Sequence, residues 1–589
     1  MALNALPKAW HRIARHDQVV LSILAVVVGV VVAYAAILFR LAIAGVQFAG
    51  FGFADESVHQ KAALLPWWQI LLVPTVGGLC VGLFLKYVMP GGRPQGVAHV
   101  IEASALRGGR MSLKDGIGAA IVSAFSLGVG ASAGREGPMV HFGASLAATV
   151  AGFLKLNQNL SRTILGCGVA AAVSASFNAP IAGVFFALEV VVGHYALSAF
   201  APVVVASVAG TIVAQIHLGE LPAFVLPPSQ IVSFLEFPAF LLLGVVAAVV
   251  AMIFMWSIMV ADHVVGEIKV PEWLKPAAGG LVVGAVAIQF PHILGVGYSA
   301  TDAALRELFP LGLLILLIVL KTAMTAVSLG CRFGGGVFSP SLYLGAMTGG
   351  AFGLIAAMIF PDLASSQGVY SLVGMSAVAA AVLGAPISTI LIVFEMTGDY
   401  KVAIAGMVAT ATASVIVHQV LGKSLFHWQL ERRGLKLRGG RARHLLQALA
   451  VRHVMSEDFH LVPESTTIGG LKRMIRGLPT GEFVVTDAEN RLIGTFAFDD
   501  LREVAFDPAV DQLVNARDIA HENAPVVTPD DDLEQVLRTM EFAGEDHLAV
   551  VEDLEESRVI GIVRHRDVLR ALNQALLEAQ AEEHDVAQR

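Results

Sequence analysis

From about residue 19 to residue 428 the chain is a succession of apolar segments separated by Gly and Pro rather than by long polar loops. Segments such as 235–260 and 311–330 are long enough to cross a bilayer as helices, which takes about 20 apolar residues. Others, 138–154, 179–192 and 385–397, are short or interrupted. Such segments predict helices that stop inside the membrane, with their ends lining a cavity. The run from about Val19 to Val46 reads as the first spanning helix. Lys8, Arg12 and Arg15 precede it, but it is too long for a signal-peptide core and has no convincing cleavage site. After Trp428 come Glu431-Arg432-Arg433, then Lys436, Arg438, Arg441 and Arg443. This basic cluster places the C-terminal side in the cytoplasm, with residues 1–18 on the same side and an even number of crossings.

Beyond residue 445 the pattern becomes that of a soluble α/β unit. Strand Phe459–Val462, helix Thr467–Arg476 and strands Phe483–Thr486 and Leu492–Phe498 are followed by a helix from Asp499. Val526-Val527, helix Leu533–Phe542, strands His547–Val551 and Val559–Val563, and a helix from Asp567 repeat that order. Gly494 and Asp500 recur at one offset as Gly561 and Asp567, which marks a tandem module rather than one enzyme domain. The expected layout is a membrane region over 19–433 and a basic linker over 434–448. Domains over 449–517 and 518–577 and a polar tail over 578–589 complete it.

The membrane region repeats as well, over about 19–220 and 235–430. Gly134, Pro138 and Gly143-Ala144 recur at one offset as Gly336, Pro340 and Gly345-Ala346. Ala179-Pro180-Ile181 with Glu189 recurs at a second offset as Ala385-Pro386-Ile387 with Glu395. The spacing alone leaves open whether the copies run parallel or inverted.

Composition agrees with this pattern. Of 589 residues 56% are hydrophobic and 15% charged, against about 25% charged in ordinary globular proteins. Together with a mean hydropathy of +0.71 this describes an integral membrane protein. The formal charge of −8 arises from acidic residues gathered in the C-terminal part and gives no argument for a nucleic-acid partner. Cys80, Cys167 and Cys331 are odd in number and lack metal-ligand spacing. His99 and His141 likewise have no companions at ligand spacing, so no metal or other cofactor is expected.

The chemistry concentrates at Gly134-Arg135-Glu136-Gly137-Pro138, an ionisable pair inside an apolar, glycine-rich run. A charge at membrane depth costs roughly 2.5–3.5 kcal/mol on lenient scales. Pro138 suits the first turn of a helix, whose free N–H groups and partial positive charge make an anion site. Glu136 then occupies the place of a permeant anion, and its protonation or displacement opens the path. Gly336-Val337-Phe338-Ser339-Pro340 carries no charge and would complete the site with backbone amides. Gly130-Ala131-Ser132-Ala133-Gly134 fits a hydrolase nucleophile elbow, but it follows a small-residue membrane helix, and no catalytic role is expected. Glu189 and Glu395 read equally as proton groups or as helix caps.

These segments, with Phe177-Asn178-Ala179-Pro180, resemble the signature segments of the CLC chloride channels and anion/proton antiporters over roughly 19–433. The C-terminal repeat resembles tandem CBS domains. The resemblance implies an inverted-repeat helical fold with broken helices in a cell (inner) membrane, a homodimer with one pore per subunit, and chloride or a similar small anion as cargo. It implies anion contacts from the amides of Arg135, Glu136, Gly137, Val337, Phe338 and Ser339, with Glu136 as the gating carboxylate. Three positions depart from the family. Pro94-Gln95-Gly96-Val97-Ala98 stands where Gly-Ser-Gly-x-Pro is usual, so the Gln95 amide replaces a serine hydroxyl beside Gly96. Phe426, after Lys423-Ser424-Leu425, replaces the pore tyrosine. Val190, after Glu189, replaces the internal proton glutamate of many antiporters, as in the channel branch. The expectation is a passive, Glu136-gated anion channel regulated by the cytoplasmic CBS domains, with H+/Cl− exchange by another proton path as the rival. In the CBS pair, Asp500 and Asp567 occupy ribose-contact positions of adenosine-binding CBS domains. Ala497 and Arg564 replace the usual Ser/Thr, and Arg564 could favour phosphate of ATP, ADP or AMP. The competing expectation is a brace that binds nothing.

Overall fold

The computed structural model describes residues 17–54, 57–193, 195–219, 231, 233–433, 435, 446, 449–475, 482–497, 511–522, 524–543, 545–553 and 557–575. The chain divides into two compact units, 1–436 and 437–589.

The first unit is helical. Its first half runs α1 (Asp17–Phe51), α2 (Trp67–Val88), α3 (Val97–Leu106), α4 (Leu113–Gly128), α5 (Glu136–Phe153), α6 (Gln158–Phe177), α7 (Pro180–Phe186) and α8 (Leu197–Leu218). The second half repeats that order as α9 (Phe237–Glu267), α10 (Lys275–Gln289), α11 (Tyr298–Leu305), α12 (Leu311–Gly330), α13 (Phe338–Ile359), α14 (Gln367–Leu383), α15 (Pro386–Thr397) and α16 (Tyr400–Leu421). A short α17 (Leu425–Glu431) closes the unit. Eight helices among the described residues are long and apolar enough to cross a membrane. The first helix outlasts the expected end at Val46, because nothing breaks it before Gly52 at φ 83°.

Local sequence explains where the broken helices start and stop. Pro180 and Pro386 open α7 and α15 at the first helical position, where a missing N–H costs nothing. The helices ahead of them end in left-handed caps, Asn178 at φ 56° and Gly384 at φ 69°. Beyond Phe186, α7 loosens into a π turn over Ala187–Val192 that contains Val190.

Side-chain and backbone contacts decide the orientation of the repeat. Glu189, in the π turn that continues α7, accepts hydrogen bonds from Ile387 N (3.0 Å) and Ser388 N (2.9 Å) at the start of α15. Glu395 accepts from Ile181 N and Ala182 N (both 2.8 Å) at the start of α7. Each helix therefore caps the other, so the equivalent helices run antiparallel and the repeat is inverted. The partners α2 and α10 cross with the same reciprocity. A Cβ on Gly78 would stand 2.2 Å from the Pro276 carbonyl oxygen, and one on Gly280 2.0 Å from that of Pro74. Between the expected readings of Glu189 and Glu395, the geometry supplies the cap.

In the second unit, β1 (His460–Pro463), β2 (Glu482–Thr486), β3 (Leu492–Ala497) and β4 (His521–Glu522) form one sheet in that order. A second sheet orders β5 (Val526–Val527), β6 (His547–Val551) and β7 (Val559–Arg564). In both sheets the first pair is parallel and the next antiparallel, with α18 (Ile468–Ile475) or α19 (Leu533–Ala543) as the crossover. Alternation along the strands splits the core. Phe483 and Val485 join Ile468 and Leu471 under α18, whereas Val484 faces Ala549, Val551 and Ile562 of the other repeat. Element limits shift by a residue from expectation, as at His460–Pro463 against 459–462. Asp500 and the start of the helix expected from Asp499 lie outside the described residues.

Candidate functional site

Four helix starts converge on Glu136. The extended segments Gly134 and Gly336 exchange hydrogen bonds, N to O at 2.7 Å in each direction, and so bind the first turn of α5 to that of α13. This reciprocal bridge turns the two broken segments into one site. The loop 94–96 ahead of α3 and the loop 295–297 ahead of α11 are counterparts in the repeat. They line two separate cavities.

The first cavity, about 370 Å³, is lined by Gln95, Gly96, Glu136, Gly137, Val337, Phe338 and Phe426, with Phe186 of α7. It brings together seven of the residues singled out in the sequence. The second, about 320 Å³, is lined by Arg135, Gly295, Gly297 and Tyr298, with Arg40 and Gln47 of α1. Arg135 thus faces a different cavity from Glu136, because consecutive residues at a helix start point apart.

Glu136 is 1% exposed, yet both its carboxylate oxygens are engaged. The Tyr298 hydroxyl donates to Oε1 at 2.5 Å, and the Ser339 hydroxyl donates to Oε2. Arg135 Nε lies 3.8 Å from Oε1, and its guanidinium stands 4.5 Å from the Tyr298 ring centroid. The carboxylate is held by two hydroxyl donors and a nearby cation, between a wall of one cavity and a wall of the other. Ser339 therefore acts here through its hydroxyl, beside any role for its amide. The Phe338 ring packs at a tilt against those of Phe177 (5.0 Å) and Phe186 (5.6 Å), which fixes the start of α13.

Tyr298 was not anticipated from sequence. Its signal was present, since Gly297-Tyr298 opens α11 as Gly96-Val97 opens α3. Cationic residues around the first cavity were also missed as a group. Arg93, Arg332, Arg432 and Arg433 line it against the two carboxylates Asp262 and Glu136. Asp262 receives Arg332 at 2.5 Å and Arg432 as well, and Arg433 lies 3.7 Å from Glu102. The surplus guanidinium charge favours anions at this mouth. His99 and His141 lie ring to ring at 5.9 Å, and the Gly96 amide donates to His99 Nδ1 at 3.2 Å. Among the described residues no cluster of His, Cys, Asp and Glu could hold a metal ion.

Other sequence candidates fall elsewhere. Ser132 is buried, donates its amide to Ser328 Oγ (3.1 Å) and sets its hydroxyl 3.3 Å from that of Thr325. In the second unit Arg564 is buried and donates to the Asp458 carbonyl at 3.1 Å, tying the two repeats. Asp567 stands among Arg564 (3.8 Å), Arg566 (3.9 Å) and Arg570 (3.5 Å). Those neighbours compete with a ribose for its oxygens.

Two inverted halves whose helices α3, α5, α11 and α13 begin around one buried carboxylate define an intramembrane anion transporter. The chain belongs to the voltage gated chloride channel family, whose model matches residues 77–418, and CBS domains match over 451–507 and 516–574. It is 34% identical to a ClcB-like chloride channel protein of Ralstonia nicotianae, over 69% of this chain and 95% of that one. It is 31% identical to the H(+)/Cl(−) exchange transporter ClcA of Vibrio cholerae, over 53% of this chain and 68% of that one. A solved slow cyanobacterial Cl−/H+ antiporter shares the fold at a TM-score of 0.64 with 22% identity, covering 70% of this chain and 97% of its own. The protein is thus a multi-span membrane member of an anion-transport family with a tandem CBS unit.

Proposed function

We propose that the chain conducts chloride passively, gated by Glu136, without stoichiometric proton exchange. The carrying observation is the double hold on Glu136 between two cavities, where Tyr298 and Ser339 occupy both oxygens. Val190 and the cap made by Glu189 support the second half of the reading. A valine carries no proton, and the Glu189 oxygens are engaged by the start of α15. Protonation of Glu136 removes the charge that both hydroxyls hold, so flux rises as pH falls. The basic residues after α17 support a cytoplasmic C-terminus, which makes the arginine-lined cavity the inner mouth.

Reconstitution in liposomes under crossed chloride and pH gradients tests this reading. The reversal potential should follow chloride alone. A chloride gradient that drives protons uphill would establish exchange, the activity named for the Vibrio cholerae relative. The homodimer follows from the family likeness and is checked by light scattering in detergent. We further propose that the CBS pair is a structural brace of the dimer. Calorimetry of the full chain with ATP, ADP and AMP tests this, and heat from any of them makes it a nucleotide sensor.

A further inference from the structure

Lys321 lies in the middle of α12, a helix that is otherwise almost wholly apolar, and its side chain is fully buried. A buried ammonium at membrane depth is costly, and a leucine would fill the same space without that cost. Its partners are neutral. Nζ donates to the carbonyl oxygens of Ile293 (3.1 Å) and Gly295 (2.9 Å) and lies 5.1 Å from the Tyr343 ring centroid.

Those two carbonyls belong to the turn that delivers Tyr298. The turn passes through left-handed backbone at Gly295 (φ 61°) and Gly297 (φ 92°), where no Cβ stiffens it. The Gly295 amide also donates to the Gly130 carbonyl at 3.2 Å, which ties the turn to the segment after α4. A Cβ on Gly297 would meet the Tyr343 ring at 2.8 Å and Lys321 Nζ at 3.3 Å, so the lysine and the ring close on the turn from behind. The opposite surface of the turn lines the second cavity. Tyr298 follows at once, with its hydroxyl on Glu136.

We propose that Lys321 is a positioning residue of the gate. It clamps the 293–297 turn so that the Tyr298 hydroxyl meets Glu136, and it acts on the carboxylate only through that tyrosine. The inference rests on the reading of Glu136 as the gate. The groups that face Glu136 are Arg135, Tyr298 and Ser339, with His99 and Arg433 across the first cavity. Facing Lys321 is Tyr343 from α13. Just before the turn, His292 stacks on His59 at 4.9 Å, and His59 Nδ1 lies 2.8 Å from the Ser299 hydroxyl. All remain in every variant below except the one substituted.

The test is the pH at which chloride flux is half-maximal, measured in liposomes holding the full chain. Loss of the Tyr298 hydroxyl frees the carboxylate, so Y298F should open with about ten- to a hundredfold less acid, the scale of one hydrogen bond to a charged group. K321M should shift the midpoint in the same direction and by the same factor, and K321M/Y298F no further. K321R, which retains a donor for the two carbonyls, should return most of the way to the parent. Additive shifts in the double variant, or an unshifted K321M midpoint, would overturn the clamp. Should K321M fail to assemble, K321Q carries the same comparison, since its neutral amide nitrogen sits one bond short of the lysine Nζ that holds both carbonyls. E136Q separates the two readings. Persistent pH dependence in E136Q sinks the gate itself, whereas its loss beside an unshifted K321M sinks only the clamp.

Discussion

The starts of α5 and α13 are the same structural element made twice, bridged through Gly134 and Gly336, yet only one of them carries charge. Both contribute residues to the first cavity, Glu136 and Gly137 from one and Val337 and Phe338 from the other. Glu136 stands at the first, and Ser339, which holds it, belongs to the first turn of the second. A duplicated scaffold thus supplies two matching helix starts, and under the proposed function the asymmetry of their side chains makes Glu136 the gate. The loops ahead of α3 and α11 differ in the same way. One ends at Gly96 before Val97 and lines the first cavity, while the other ends at Gly297 before Tyr298 and lines the second.

Making the two starts alike should have the largest effect. E136A removes the charge and both hydrogen bonds, each worth about 1.5–3 kcal/mol when the acceptor is ionised. Chloride flux in liposomes is expected to rise at least about tenfold at neutral pH and to lose its pH dependence. A flux that still follows pH would place the titrating group elsewhere.

Removing one donor from each half sharpens the comparison. Y298F and S339A each delete one hydroxyl from the carboxylate, at about 1.5–3 kcal/mol of gate closure. Both should move the flux midpoint to higher pH by similar amounts. A large shift from one and none from the other would show that a single half holds the gate.

Where the halves match, substitutions should cost them equally. G78A and G280A each drive a Cβ into a facing carbonyl, so overpacking of about 1–3 kcal/mol or more is expected in both. Thermal unfolding in detergent reads this directly. The smallest effect belongs to the reciprocal caps. E189A and E395A should each lower stability by about 0.5–2 kcal/mol, the scale of a lost helix cap, and leave the pH midpoint of flux in place. A moved midpoint in either would return that glutamate to the proton path.

The broken helices were legible because Pro and Gly act locally. Pro180 and Pro386 open helices, and the apolar runs between them need no tertiary information to be recognised as membrane segments. Glu136 was legible for a similar reason, since an ionisable residue in an apolar run is anomalous wherever the chain then goes. The roles of Glu189 and Glu395 were not. Each bonds to amides about 200 residues away, at a helix start that any nearby acceptor could serve. The CBS repeats could be placed by their alternating strands, whereas the engagement of Arg564 with Asp458 depends on how the two repeats meet.

By itself the sequence determined that the chain is a membrane protein built from two copies of a broken-helix unit, followed by a paired α/β module, with one carboxylate at a helix mouth. Periodicity, composition and spacing are properties of neighbouring residues and survive without a fold. Only the tertiary structure decided that the copies are inverted, that Tyr298 and Ser339 share the carboxylate, and that Lys321 stands behind the turn bearing the tyrosine. Each of these joins residues from different helices. Hydrogen bonds act over about 3 Å, so their partners are set by where the helices pack and not by their order in the chain.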